Sequence, residues 1–61
     1  MAKSRILVVD DDPMILELLV TRLELAGYQV AAARDGHEAL RRIPDVHPHA
    51  MILDVNMPAL D

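Results

Sequence analysis

The residues of this chain best suited to chemistry are carboxylates: Asp10, Asp11 and Asp12 in a row, and Asp54 further on. The cluster and Asp54 each follow a short apolar run, Ile6-Leu7-Val8-Val9 in one case and Ala50-Met51-Ile52-Leu53 in the other. Carboxylates gathered in one place repel each other unless something neutralises them. A hard divalent cation does so. Magnesium takes oxygen ligands, keeps several waters, and combines one or two carboxylates with phosphate oxygens. Asp11 and Asp54 as direct ligands, with Asp10 acting through water, fit that pattern. A carboxylate is also a competent nucleophile toward phosphorus. The cation would then offset charge on an incoming phosphoryl group, and positioning would supply most of the catalysis. Plainer roles compete. Asp12 stands directly before Pro13, the arrangement of a helix N-cap followed by proline at the first helical position. An aspartate after a strand is also a common turn residue.

The elements that must position these acids are legible from pattern. Residues 6–9 form an apolar, β-branched run bounded by charge, as expected of a strand buried on both faces. Residues 14–26 turn helical, with Ile15, Leu16, Leu19, Leu23 and Ala26 on one face and Glu17, Thr21 and Glu24 on the other; Gly27 is the stop. Residues 28–33 read as a second strand. Asp35-Gly36 signals a turn. A short helix over about residues 37–43 would bury Ala39, Leu40 and Ile43, pair Glu38 with Arg42 on its outer face, and end at Pro44. Residues 50–53 form the third strand, and Val55-Asn56-Met57-Pro58 a loop. The alternation strand–helix–strand–helix–strand predicts an α/β fold with a parallel sheet. Parallel strands end at one edge, so Asp10, Asp11 and Asp54 can meet there. In the order 2-1-3, the crevice between the first and third strands is the switch point where open α/β sheets bind ligands.

Composition narrows the function classes. The chain has 61 residues, 52% of them hydrophobic, with Tyr28 its single aromatic and no cysteine. That describes an aliphatic core, no disulfide framework and no thiolate metal site. A formal charge of −4 argues against direct contact with nucleic acid. No apolar run reaches the ~20 residues of a membrane helix, and the N-terminus has no signal-peptide pattern. The expected location is cytoplasmic.

Four segments together resemble a response-regulator receiver domain of two-component signalling. They are Ile6-Leu7-Val8-Val9-Asp10-Asp11-Asp12-Pro13, Ala26-Gly27-Tyr28-Gln29-Val30, Asp35-Gly36-His37-Glu38-Ala39-Leu40, and Met51-Ile52-Leu53-Asp54-Val55-Asn56-Met57-Pro58. Each motif alone is modest. All four, in order and at family spacing, are highly specific. The resemblance implies a flavodoxin-like fold. It implies transfer of a phosphoryl group to Asp54 from a sensor histidine kinase or a histidine phosphotransfer protein. It implies Mg2+ held by Asp10, Asp11, Asp54 and the backbone carbonyl of Asn56, whose side chain would face the phosphate.

The match covers residues 1–61 as a partial receiver, β-α-β-α-β in order 2-1-3. The family's last two strands and three helices lie beyond it. So do its phosphate-sensing Ser or Thr and its phosphate-pairing Lys, since Lys3 sits at the wrong end of the first strand. Arg34, one strand away, is a weak substitute. The third strand then becomes an open edge. The flank Met14, Leu18 and Leu25 of the first helix also lacks a cover, and self-association through both is expected. Two alternatives compete with the phospho-acceptor reading. One is a haloacid-dehalogenase-like phosphohydrolase, for which Asp10 and Asp12 have the spacing but Pro13 fits poorly. The other is a structural fragment that binds magnesium without turnover. His47 and His49 bracket Pro48 and read as a surface loop rather than a metal pair. His37 reads as solvated, and Arg41 and Arg42 as a solvated helix face.

Overall fold

The structure, a computed structural model, describes residues 3–53. The chain forms β1 (Arg5–Val9), α1 (Pro13–Leu25), β2 (Gln29–Ala33), α2 (Gly36–Val46) and β3 (Ala50–Leu53). The three strands make one parallel sheet in the order β2-β1-β3. This is the expected flavodoxin-like β-α-β-α-β arrangement. β1 lies in the middle, which is why its run of aliphatic residues is uninterrupted: Leu7, Val8 and Val9 are fully buried and Ile6 nearly so. Alternate residues of a strand point to opposite faces. Leu7 and Val9 join Ala33 and Ala39 in a cluster with Ala31 and Ile43, under α2. Ile6 and Val8 face the other way, toward α1, which packs on β1 and β2.

The helix ends follow from local chemistry. Asp12 caps α1, its Oδ1 accepting from the N–H of Met14 at 2.9 Å and of Ile15 at 3.5 Å. At the other end Gly27 N–H donates to Glu24 O and Tyr28 N–H to Leu23 O, the two bonds of a Schellman motif. Gly27 has φ 101°, and a Cβ there would touch nothing. The backbone conformation, not space, requires glycine. Asp35 caps α2 by accepting from Glu38 N–H at 2.8 Å, while Glu38 Oε1 reaches back to Arg34 N–H at 2.9 Å, a variant of the capping box.

Four expectations are corrected. Pro44 does not end the second helix, which runs on to Val46 and stops at His47 in the left-handed region. Proline removes the bond to the carbonyl of Leu40, but Leu40 lies on the open side, where that carbonyl can reach solvent at lower cost. Leu40 itself is 68% exposed rather than buried, because α2 leans on β1 and β2 and leaves β3 uncovered. On α1, Leu16, Leu19, Val20 and Leu23 are half-buried, but Ile15 and Ala26 are exposed, as is the flank Met14, Leu18 and Leu25. Finally, Glu38 and Arg42 do not pair. Each instead bonds a backbone group, Glu38 the Arg34 N–H and Arg42 the Ala32 carbonyl at 2.7 Å. A charged group held against a fixed peptide dipole loses less freedom than two long side chains holding each other.

Candidate functional site at the carboxyl edge of the sheet

β1 does not stop abruptly at Val9. Asp10 N–H donates to Ala33 O at 3.1 Å, so β2 carries the backbone one residue further and fixes where the acid cluster begins. The Asp10 side chain is 4% exposed, the one buried charged group among the described residues. Its Oδ1 accepts from Asp12 N–H at 2.9 Å. Burial of a carboxylate is costly without such partners. Asp11, between them, is exposed with Asp12. The three acids are thus unequal: Asp10 is anchored, Asp12 is committed to the start of α1, and Asp11 is exposed with no such bond among the described residues.

These acids line a groove of about 480 Å³ together with Val9, with Ile15 and Leu19 of α1, and with Ile52 and Leu53 of β3. The groove lies between β1 and β3, the predicted switch point. The register brings its two rims level. Val9 pairs with Leu53, and these are the residues immediately before Asp10 and Asp54. Asp54 and Asn56, and the rest of the expected loop over residues 55–58, lie outside the described residues. Among the described residues no three acids or histidines converge to hold a metal ion. Asp10 and Asp11 offer oxygen atoms only. Asp11 is exposed, which suits a hard cation that keeps part of its water shell.

Two contributors escaped the sequence reading. One is the backbone N–H of Asp12, which anchors Asp10; the clue available was the cap position itself, since a capped helix start turns its first amides outward. The other lies at the opposite end of the sheet, where His49, in the exposed segment before β3 as expected, is also bonded to Arg5. No pattern in the sequence announces that contact.

An open parallel sheet in the order 2-1-3, with an acidic groove at its switch point, defines a flavodoxin-like α/β domain. Residues 6–61 match the family model of the response regulator receiver domain, and the chain belongs to that family. It is 53% identical over 57 residues to the transcriptional regulatory protein PrrA of Mycobacterium tuberculosis, covering 93% of this chain and 24% of the relative. It is 48% identical over 61 residues to the probable transcriptional regulator ycf27 of Porphyridium aerugineum, covering 100% of this chain and 25% of that one. The structure resembles the chemotaxis protein CheY4 of Vibrio cholerae with a TM-score of 0.88 and 40% identity, over 93% of this chain and 48% of that one. The chain therefore spans about a quarter of the length of these curated relatives. It is a signalling module of two-component systems.

Proposed function

We propose that the chain is the phospho-acceptor part of a two-component phosphorelay, with Asp54 as acceptor and Mg2+ as cofactor. Residues 1–61 would form the first part of a receiver whose two further strands and three further helices belong to a longer domain. A sensor histidine kinase or a histidine phosphotransfer protein would be the donor, which would place the chain in the cytoplasm. Among the described residues no helix is long and apolar enough to cross a membrane. In the transfer, a carboxylate oxygen of Asp54 attacks phosphorus, the P–N bond of the phosphohistidine breaks, and its electron pair returns to the imidazole. Asp10 and Asp11 would hold the cation with Asp54 and the Asn56 carbonyl. The cation would offset charge on the phosphoryl oxygens. Asp10 is held in place by Asp12 N–H, so it needs little reorganisation when the cation arrives.

The observation that carries this reading is the Val9–Leu53 pairing, because it levels the residues preceding the acid pair with the residue preceding Asp54. The test is incubation with a small acyl phosphate and Mg2+, followed by intact mass and peptide mapping. One added phosphoryl group on Asp54, absent in Asp54→Asn, is expected. Repeated turnover of the donor with no covalent species would favour the phosphohydrolase alternative. Magnesium binding without modification would favour the structural one.

Among the described residues β3 is an edge strand, and for the chain by itself that edge supports a second copy as an additional partner. All four of its residues are exposed, and none is charged. Such an edge is a template for pairing with another chain.

A further inference from the structure

At the amino-terminal end of the sheet, far from the acids, His49 holds β1 to β3 in an unusual way. Its own N–H donates to Arg5 O at 2.8 Å, one residue ahead of the first regular pair, Ile6 with Ala50. By the register that sets Ile6 opposite Ala50, the N–H of Arg5 would donate to the carbonyl of Pro48. His47 ends α2 in the left-handed region, φ 49°, and its carbonyl accepts from Arg5 Nε at 2.9 Å. The Arg5 N–H goes to the ring of His49, reaching Nδ1 at 2.9 Å. The imidazole therefore stands in for a backbone carbonyl and closes the first rung of the β1–β3 pair.

A ring nitrogen accepts a hydrogen bond only when it carries no proton. The contact therefore requires neutral His49 with its proton on Nε2. A doubly protonated ring has donors at both nitrogens and would set N–H against N–H. We propose that His49 is a proton-operated clasp on the β1–β3 pair, closed when the ring is neutral and released when it is protonated. Histidine is the side chain that ordinarily changes charge between about pH 5 and 8. The charged and titratable groups nearby come from three segments. The Arg5 guanidinium sits on the adjacent His47 carbonyl, and Lys3 lies just before β1. From the end of α2 come His47 and Asp45, the latter beside Arg5 and Gln29 in a shallow groove. β2 brings the uncharged Gln29 and Val30. The clasp matters to the rest of the molecule because, among the described residues, β1 is the strand that holds β3 in the sheet, and the far end of β3, Leu53, borders the acidic groove.

The test is nuclear magnetic resonance on the 15N-labelled 61-residue chain. At neutral to alkaline pH, His49 should carry its proton on Nε2 and show a coupling across the hydrogen bond between the Arg5 amide nitrogen and Nδ1. As the ring titrates, that coupling should vanish. Exchange of the Arg5 amide, corrected for its intrinsic pH dependence, should then rise about five- to tenfold relative to Leu7, the change expected for losing one ordinary hydrogen bond. His49→Asn keeps a carbonyl acceptor that does not titrate and should make Arg5 protection flat with pH. His47→Asn, tolerated in the left-handed region, should leave the acid response intact. A proton on Nδ1 at neutral pH overturns the proposal, as does a ring with the tautomer mixture of free imidazole. So does Arg5 protection that is unmoved while His49 protonates, or an equal acid response in His49→Asn.

Discussion

The backbone N–H of Asp12 donates to Oδ1 of Asp10 at 2.9 Å, while the Asp12 carboxylate caps α1. One residue thus ties the acid site to the start of a helix. The anchored acid and the capping acid have separate functions, and substitutions should separate them.

Asp12→Ala removes the cap but keeps the N–H that holds Asp10. It should cost about 1 kcal/mol, a fall of roughly 4–8 °C in Tm for a domain of this size. Asp12→Asn, also a good cap, should recover most of it. Calorimetric titration should give the same Mg2+ affinity in both variants as in the parent. A tenfold loss in Asp12→Asn would make Asp12 a ligand, as the phosphohydrolase alternative requires.

Asp11→Asn should behave in the opposite way. Asp11 is exposed and lies between two other acids. Removing its charge relieves repulsion, so the metal-free chain should melt at the same temperature or slightly higher. Mg2+ affinity should fall at least about tenfold, since a carboxylate ligand is lost from a site with few of them. Unchanged affinity would remove Asp11 from the metal set.

Leu7 is fully buried in the central strand, and Leu40 is 68% exposed. Leu7→Ala should cost about 2–5 kcal/mol, enough to unfold most of so small a domain. Leu40→Ala should stay within about 0.5 kcal/mol. Circular dichroism during urea titration would distinguish them. Comparable losses at both positions would mean that Leu40 is covered in solution.

The two sheet edges are guarded unequally. Gln29 and Ala33 bond to β1, so the Ala32 carbonyl points outward from β2, and Arg42 Nη1 occupies it. β3 has no such guard among the described residues. Met51→Lys should therefore lower the concentration dependence of the sedimentation coefficient, because an edge charge opposes strand pairing. Arg42→Ala should raise it by opening the second edge. Sedimentation unaffected by Met51→Lys would exclude β3 as the associating edge.

The sequence alone determined which elements form, in what order, how the helices begin and where the first one ends, though not that the second runs past Pro44. The N-cap at Asp12, the glycine stop at Gly27 and the buried strand at residues 6–9 depend on groups only a few positions apart. The same holds for the order 2-1-3, given alternating strands and helices and the family's motifs. Tertiary structure decided what each exposed or polar side chain meets. Leu40 has the helical spacing of a core residue, yet its burial depended on whether anything covers β3. Glu38 and Arg42 have the spacing of an ion pair, yet peptide groups of neighbouring segments offered better-fixed partners. His49 has no contact that its own neighbours in sequence announce, yet its ring accepts from the Arg5 N–H, 44 residues away, while Arg5 Nε takes the His47 carbonyl. Local pattern reports the backbone's own preferences. The partners of buried and edge groups are set by segments distant in sequence, and only the packed chain brings those together.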